Sequence, residues 1–476
     1  MYSLDKKINT DSAFLIKRSL IENRLEPKFY TKKYIDNVLK ISNSTLPVLN
    51  LSEVTTLISD GTHFTPNYQS EGVKFISVKD VRKSKIDLNK SKFISIEEAD
   101  KLDRRCKPQI NDVLLTKIGA TFGYASTVNT NERFQIFVSL ALLRPSDKII
   151  PKYLEIFLNS ELAYTQYERV IKGAGVPDLH LEDIRKIKIP LPTIIEQNKI
   201  VTLYEKAYQI KVLKEKESKS LLQNIDKYLL SELSIVLPER DYSFSNRVFQ
   251  VNWSELFGDR LDSEFSQVYF REINKSLLNG KYTASKLKEV TSFIESGSRP
   301  KGGVGQIKSG VFSIGGEHVN NKCQVGNGKP KYIPLEFHEK IKLTETKMHD
   351  IILVKDGATT GKIGIIDSLD FVNQNVNEHV FLIRPDTKII SPHYLVSFLY
   401  SSIGQILLKR FITGATVTGL TKESLRNILI PLPPLDIQNR ITEHIFELRG
   451  KAKELESDAK SGLKEVKRKI EEMIIG

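Results

Sequence analysis

Cysteine is nearly absent from this chain, with Cys106 and Cys323 the only two among 476 residues. They do not fall at equivalent places of the internal repeat described below. A structural disulfide is therefore not expected, and a reducing cytoplasm is. Long apolar runs are missing too. No stretch approaches the roughly 18 apolar residues that a membrane-spanning helix requires. The opening MYSLDKKINT lacks the apolar centre of a secretory leader.

Catalytic signatures are equally scarce. Gly357-Ala358-Thr359-Thr360-Gly361-Lys362 has the look of a phosphate loop. It is one residue short between its glycines, and Ile363 stands where a Mg²⁺-binding hydroxyl belongs. His338-Glu339 begins like a zinc-protease helix, but Lys342 occupies the second histidine position. Pro433-Pro434-Leu435 lacks both the Asn and the aromatic of an adenine-methyltransferase motif. Glu217-Ser218-Lys219 has part of a nuclease spacing but lies in the polar stretch of a long helical pattern, where a solvated face explains it. No Gly-x-Gly-x-x-Gly follows a strand pattern, and no Cys/His set has metal-ligand spacing. No catalytic or metal residue is expected.

What the chain has in excess is positive charge: 71 Lys+Arg against 58 Asp+Glu, a formal +13. A surplus of this size fits a polyanionic partner, most simply nucleic acid.

The chain also contains itself twice. Ile189-Pro190-Leu191-Pro192 followed by Gln197-Asn198-Lys199-Ile200 returns as Ile430-Pro431-Leu432-Pro433 followed by Gln438-Asn439-Arg440-Ile441. Proline stops what precedes it and suits a helix start. Upstream, Arg24–Phe29 pairs with Arg260–Phe265, Leu51–Thr55 with Leu287–Thr291, Asp112–Gly123 with Asp350–Gly361, and Arg144-Pro145 with Arg384-Pro385. The offset drifts by only a few residues, so one unit has been duplicated. Between these anchors, Thr62–Lys107 has little in common with Ser298–Met348. A shared frame with unlike inserts points to two modules doing one job on different targets.

The expected organisation follows. Residues 1–45 form a helical N-terminal segment, with an apolar rhythm at Phe14, Ile16, Leu20 and Ile21. Residues 46–192 form a first α+β domain with a curved sheet, built on β-rich runs at 73–78, 112–116 and 136–143 and closed by a helical stretch at 151–171. Residues 193–236 are a long helix, 237–286 a linker and the start of the second repeat, 287–433 the second domain, and 434–476 the terminal helix. Forty helical residues make a rod of about 60 Å, too long for one small domain, so the two helices are expected to pair. The expected seam runs through Ile200, Tyr204, Leu222, Ile225 and Leu229 on one helix. On the other it runs through Ile441, Ile445, Leu448, Leu455, Leu463, Val466 and Ile470, at heptad spacing with a stutter.

These features together resemble the specificity subunit of type I restriction–modification enzymes. They are two diverged halves, each with a Leu-x-Glu-Val opening, a Gly-Ala-Thr-x-Gly loop, an Ile-Pro-Leu-Pro exit and a Gln-Asn-[Lys/Arg]-Ile helix start. The resemblance covers nearly the whole chain. It implies two target recognition domains, each reading half of a split double-stranded DNA site, held apart by an antiparallel coiled coil with pseudo-two-fold symmetry. It implies partners as well: two methyltransferase subunits docked on the helices, and restriction/translocase subunits. S-adenosylmethionine, ATP and Mg²⁺ would sit on those partners, leaving this chain a non-catalytic DNA-binding subunit. The N-terminal 45 residues exceed what a minimal recognition domain needs. The alternatives are a stand-alone DNA-modifying enzyme or nuclease of unfamiliar type, and a scaffold that assembles partners without reading DNA.

Base reading needs polar side chains at base edges, with Lys/Arg and backbone N–H groups on phosphates. The divergent and glycine-flanked loops supply the candidates. In the first half these are Thr62, His63, Thr65, Lys79, Lys117 and Thr121. In the second they are Ser298, Arg299, Lys301, Glu317, His318, Lys355, Thr359 and Lys362. The Gly-Ala-Thr-x-Gly loops, present in both halves, are expected to hold a shared phosphate or framework contact.

Overall fold

The computed structural model describes residues 26–476 except 174, 242, 244–247, 252–264, 305–306, 321 and 414–418, together with Ile16, Arg18 and Ile21. The N-terminal rhythm at Phe14 and Leu20, and the Arg24 and Arg260 ends of the repeat, lie outside the described residues. Two compact units emerge, one from residues 1–215 with 456–476 and the other from 216–455. Each long helix therefore gives one end to each unit.

In the first unit, the main sheet is antiparallel in the order Thr55–Asp60, Leu140–Pro145, Val113–Thr116, Ala125–Thr127. Leu142 lies opposite both Ser59 and Leu114, which sets the register of the central strand. Val113–Thr116 is buried throughout, as a strand covered on both faces must be. One face packs on the helices Pro151–Leu158 and Glu161–Val170 around Tyr153, Phe157 and Tyr167. The expected single helical stretch is thus two helices, and Ser160 caps the second by accepting from Ala163 N. The opposite face packs with Ile76, Val81 and Ile136. A second sheet, in the order Phe134–Ile136, Val73–Ile76, Lys92–Ile94, Tyr68–Gln69, has its first pair parallel. The β-run expected at 136–143 is divided between the two sheets, with a turn at Phe137–Ser139.

The second unit repeats this plan. Its main sheet runs Thr291–Ser296, Val380–Pro385, Ile351–Val354, Ile363–Ile365. Its outer sheet places Val311–Ile314 between antiparallel Tyr332–Ile333 and parallel Asn375–Val376. The repeat motifs prove to be the fastenings of this plan. Glu53 reaches back to Asn50 N at 2.7 Å and Glu289 to Lys286 N at 2.9 Å, as a capping residue does at the third helical position. Thr55 and Thr291 each donate to the leucine carbonyl four residues earlier at 2.7 Å. Arg144 forks onto Asp112 with two bonds of 2.8 Å, and Arg384 onto Asp350 at 2.8 and 2.7 Å. Tyr153 and Tyr394 donate to the Pro190 and Pro431 carbonyls, each at 2.8 Å. Arg169 and Arg410 cover the rings of Phe29 and Phe265.

The glutamine of each Gln-Asn motif is fully buried. Gln197 accepts from Ile150 N at 2.8 Å and donates to the Lys148 and Pro192 carbonyls. Gln438 does the same with Ser391 N, Ile389 O and Pro433 O. Each long helix is thereby stapled to the loop leaving the last strand of its main sheet.

The long helices span Ile194–Glu232 and Leu435–Ile475. In the first unit Ile200 and Tyr204, at the start of one, share a core with Ile470 and Ile474 at the end of the other. In the second unit Leu229 and Leu233 share a core with Ile441 and Ile445. Within each unit the start of one helix meets the end of the other, so their directions oppose. Leu448, Leu455, Leu463 and Val466 are half-buried, with Ala452 and Ala459 buried between them. Leu222 corrects the expected seam: it is exposed, and the half-buried Leu221, with Ser218 and Ile225, takes the inward face. Adjacent positions lie about 100° apart on a helix, and two leucines in a polar stretch left the register open. Among the described residues, no helix is long and apolar enough to cross a membrane.

Candidate nucleic-acid interface

In both units the first strand of the main sheet ends at a glycine that nothing larger can replace. A Cβ on Gly61 would stand 1.9 Å from the Ile136 carbonyl oxygen, and one on Gly297 would stand 1.9 Å from that of Val376. There the chain bonds to the edge strand of the outer sheet, Thr62 N to the Ile136 carbonyl and Ser298 N to that of Val376, before entering the divergent loop. The glycine loop after Thr116 or Val354 closes the other side. Leu179 N donates to the Lys117 carbonyl, and Leu420 N to the Lys355 carbonyl. Each unit thus gathers its divergent loop, its glycine loop and the segment after its paired helices at one end of the main sheet.

In the first unit this end is a charged cluster around Asp60, which is buried. Arg105 Nη2 lies 2.5 Å from Asp60 Oδ1 and 3.0 Å from His63 Nε2, while about half of the arginine side chain stays exposed. Lys117 is also buried, 3.6 Å from Asp60 and 3.7 Å from Asp178. Two carboxylates neutralise that ammonium, so Lys117, expected among the DNA contacts, does not fit that role. Thr62 is corrected as well. It is buried, its hydroxyl turns back on Phe64 N, and its backbone pairs with Ile136 and Val138. His63, Thr65 and Lys79 are exposed, whereas Thr121 is half-buried and its carbonyl accepts from Thr116. Burial, with Asp112 and Asp60 adding, pushes the neighbouring Cys106 thiol up to about 12, so it offers no nucleophile.

The second unit presents a different set on the same frame. Ser296 stands where Asp60 does, and Lys355 donates to its hydroxyl at 2.9 Å. Arg299 is more than half exposed while its Nε holds Glu378 at 2.9 Å, and Glu378 also meets His379, which in turn meets Asp356 at 2.6 Å. Ser298 and Lys301 are exposed beside Arg299. Glu317 pairs with Lys331 at 2.6 Å. His318 is corrected: it is buried, its Nδ1 accepts from Gly315 N, and its Nε2 faces the Lys329 carbonyl, so both ring nitrogens hold the turn. Thr359 is exposed and Lys362 half-buried in the glycine loop.

The structure thus joins His63 and Lys117 through Asp60, and brings Arg299 and Lys355 onto one network edge. It leaves Lys79 and Lys301 as separate exposed cations. Sequence reasoning missed Arg105, His379 and Phe64, a residue 82% exposed on the first divergent loop. Asp60-Gly61, which aligns with Ser296-Gly297, was the available signal that partners for Asp60 should be sought. Cationic, imidazole and aromatic groups exposed over fixed carboxylates can contact phosphates and base edges.

Comparison with known proteins gives a consistent picture. The family described as "Type I restriction modification DNA specificity domain" matches residues 43–238 and 279–465. The type I restriction enzyme EcoBI specificity subunit of Escherichia coli is 31% identical over 165 residues, 34% of this chain and 34% of the relative, so that match spans about a third of the relative's length. The MjaVIII specificity subunit of Methanocaldococcus jannaschii is 23% identical over 396 residues, 81% of this chain and 82% of that one. A solved structure concerned with complex assembly and conformational transition of the type I R-M system has the same fold. Its TM-score is 0.56 at 16% identity, covering 90% of this chain and 97% of that one. With most of its length matched in two successive segments, the chain belongs to the family of type I restriction modification DNA specificity domains.

Proposed function

We propose that this chain is the DNA sequence-specificity subunit of a type I restriction–modification complex, each unit reading one half of a bipartite site. The observation that carries this reading is the contrast between frame and mouth. The fastenings Arg144–Asp112 and Arg384–Asp350, or Gln197 and Gln438, repeat almost atom for atom. Most side chains at the end of each sheet do not repeat: Asp60, His63 and Arg105 stand in one unit, Ser296, Arg299 and Glu378 in the other, and the shared lysine meets two carboxylates as Lys117 but a serine hydroxyl as Lys355. Identical supports under unlike polar groups are what two readers of different sequences require. Arg105 and Arg299, each held from one side by a carboxylate and open on the other, are the proposed bidentate base readers. Lys355 and Lys362 are the proposed phosphate contacts.

Methylation and cleavage belong in this reading to partner methyltransferase and restriction/translocase subunits, which would bring S-adenosylmethionine, ATP and Mg²⁺. The long helices would dock two methyltransferase subunits and set the distance between half-sites. Exchanging residues 50–190 for those of a relative, then sequencing the methylome of a host that carries the complex, tests the proposal. One half-site should change and the other stay. Both halves changing together would defeat it.

A further inference from the structure

We propose that the second unit carries a binding site for a late first-row divalent cation, zinc above all, formed by His349, Asp367 and His393. The three residues come from the turn before strand Ile351–Val354, the loop after strand Ile363–Ile365, and the first turn of helix Pro392–Tyr400. One ligand atom from each lies within 4.8 Å of the others. His393 Nε2 and Asp367 Oδ1 are 3.7 Å apart, and the two imidazole centroids are 5.3 Å apart. In a tetrahedral zinc site with bonds near 2.1 Å, ligand atoms stand about 3.4 Å apart. Rotamer shifts of about 1 Å at the exposed His349 and Asp367 would reach that spacing. The backbone is already set for it: His349 N donates to the Ile366 carbonyl at 2.8 Å, fixing the turn beside the loop of Asp367. His393 is held against the ring of Phe446 at 5.0 Å.

The duplicated chain supplies its own control. The first unit has the same turn, with Asn111 at φ 72° where His349 has φ 67°, and Asn111 N donates to the Val128 carbonyl as His349 N does to that of Ile366. Asn129 aligns with Asp367, and Lys152, second in helix Pro151–Leu158, aligns with His393. Lys152 is engaged by Glu155 at 2.6 Å, where the second unit has Val396. One unit therefore holds two amides and an ammonium at three aligned places, and the other holds two imidazoles and a carboxylate. Nothing in the fold demands the change. Two imidazoles and one carboxylate are a donor set for Zn²⁺, Co²⁺ or Ni²⁺ rather than for Mg²⁺ or Ca²⁺. Three protein ligands leave one position of a tetrahedron for a donor from outside the chain.

The full chain, freed of metal by chelation, should bind one Zn²⁺ per molecule in a calorimetric titration. Its thermal unfolding should rise with Zn²⁺ and not with Mg²⁺, and Co²⁺ should give the visible bands of a four-coordinate site. His349→Asn and Asp367→Asn install the residues the first unit already carries, so both variants should fold. Each should weaken Zn²⁺ binding at least tenfold, and together they should abolish it and the Co²⁺ bands. His393→Lys, again borrowed from the first unit, is the third arm and should do the same. No stoichiometric Zn²⁺ uptake by the parent chain, an equal response to Mg²⁺, or uptake unchanged in the variants would overturn the proposal. None of these readouts depends on DNA recognition.

Discussion

Replacing Gln438 by leucine keeps the volume of a fully buried side chain and removes three hydrogen bonds at once. Ser391 N–H, in a part-buried turn, loses its acceptor at 2.7 Å. The Ile389 and Pro433 carbonyls lose donors at 3.2 and 2.8 Å. An orphaned buried N–H costs about 1–3 kcal/mol, and the carbonyls, with a second lone pair each, add less. Leucine recovers part through apolar burial, so the net cost is about 2–4 kcal/mol. A chain of two units has no single unfolding free energy, so amide hydrogen exchange read unit by unit is the assay. At tenfold per 1.4 kcal/mol, protection in the second unit around residues 389–398 and 433–445 should fall roughly 30- to 700-fold. The same peptides of the first unit should keep theirs, and Gln197→Leu should give the mirror image. A loss below tenfold, or one shared equally by both units, would refute the idea that this glutamine fastens each helix to its own domain.

Other perturbations separate roles that look alike on paper. Lys355→Ala should weaken DNA binding evenly across sequences and lower the salt slope by about one, whereas Lys117→Ala should leave the slope unchanged and destabilise the first unit by exposing Asp60 and Asp178 to each other. Arg105→Ala and Arg299→Ala should each cost about 1–3 kcal/mol at one or two base pairs of different half-sites, measured by titration against single-base variants. Burial holds Cys106 near 12 and Cys323 up to about 11, so neither thiol should react with a disulfide reagent at pH 8 until the chain is unfolded. Burial also raises the carboxyl of Glu471 above its ordinary 4.5, so the folded state holds that proton longer than the unfolded one. Stability should therefore fall as pH rises from 4.5 through the raised value, and Glu471→Gln should flatten that slope and raise the melting temperature at neutral pH.

The parts of the fold legible in the sequence were those where a side chain locks its own backbone. Glu53 with Asn50, Thr55 with Leu51, and the Pro-x-Pro exits are local, so their spacing survives duplication and announces itself. The α+β class and the paired duplication followed from them. Three other features depend on partners far along the chain. The outer sheets pair in the same way although Lys92–Ile94 and Tyr332–Ile333 share no pattern, because ladder bonds come from the backbone and accept many side chains. Lys117 reads as a free cation until Asp60 and Asp178 arrive from either side. His349, Asp367 and His393 have no ligand spacing in sequence and meet only through three separate elements.

This division between local fastening and distant partnership has a consequence for how such a chain can change its target. A substitution at Arg144, Asp112, Gln197 or Tyr153 breaks a buried or part-buried hydrogen bond of the frame and is felt by the whole unit. One at His63, Thr65, Ser298 or Lys301 alters an exposed group beyond a glycine whose position the sheet dictates. Asp60 is the intermediate case: it is buried under Arg105, and Ser296 shows that the frame accepts a neutral residue there once its cationic partners are rearranged. Changing the proposed reader Arg105 without Asp60 would leave a buried carboxylate with fewer donors, so these two positions should vary together. Arg299 and Glu378 form the corresponding pair in the second unit, where the carboxylate is a quarter exposed against 4% for Asp60, so solvent relaxes the coupling more. New specificity should therefore be easier to obtain by point substitution in the second unit than in the first, and double-mutant cycles on Asp60–Arg105 and Glu378–Arg299 should give the larger coupling energy for the buried pair.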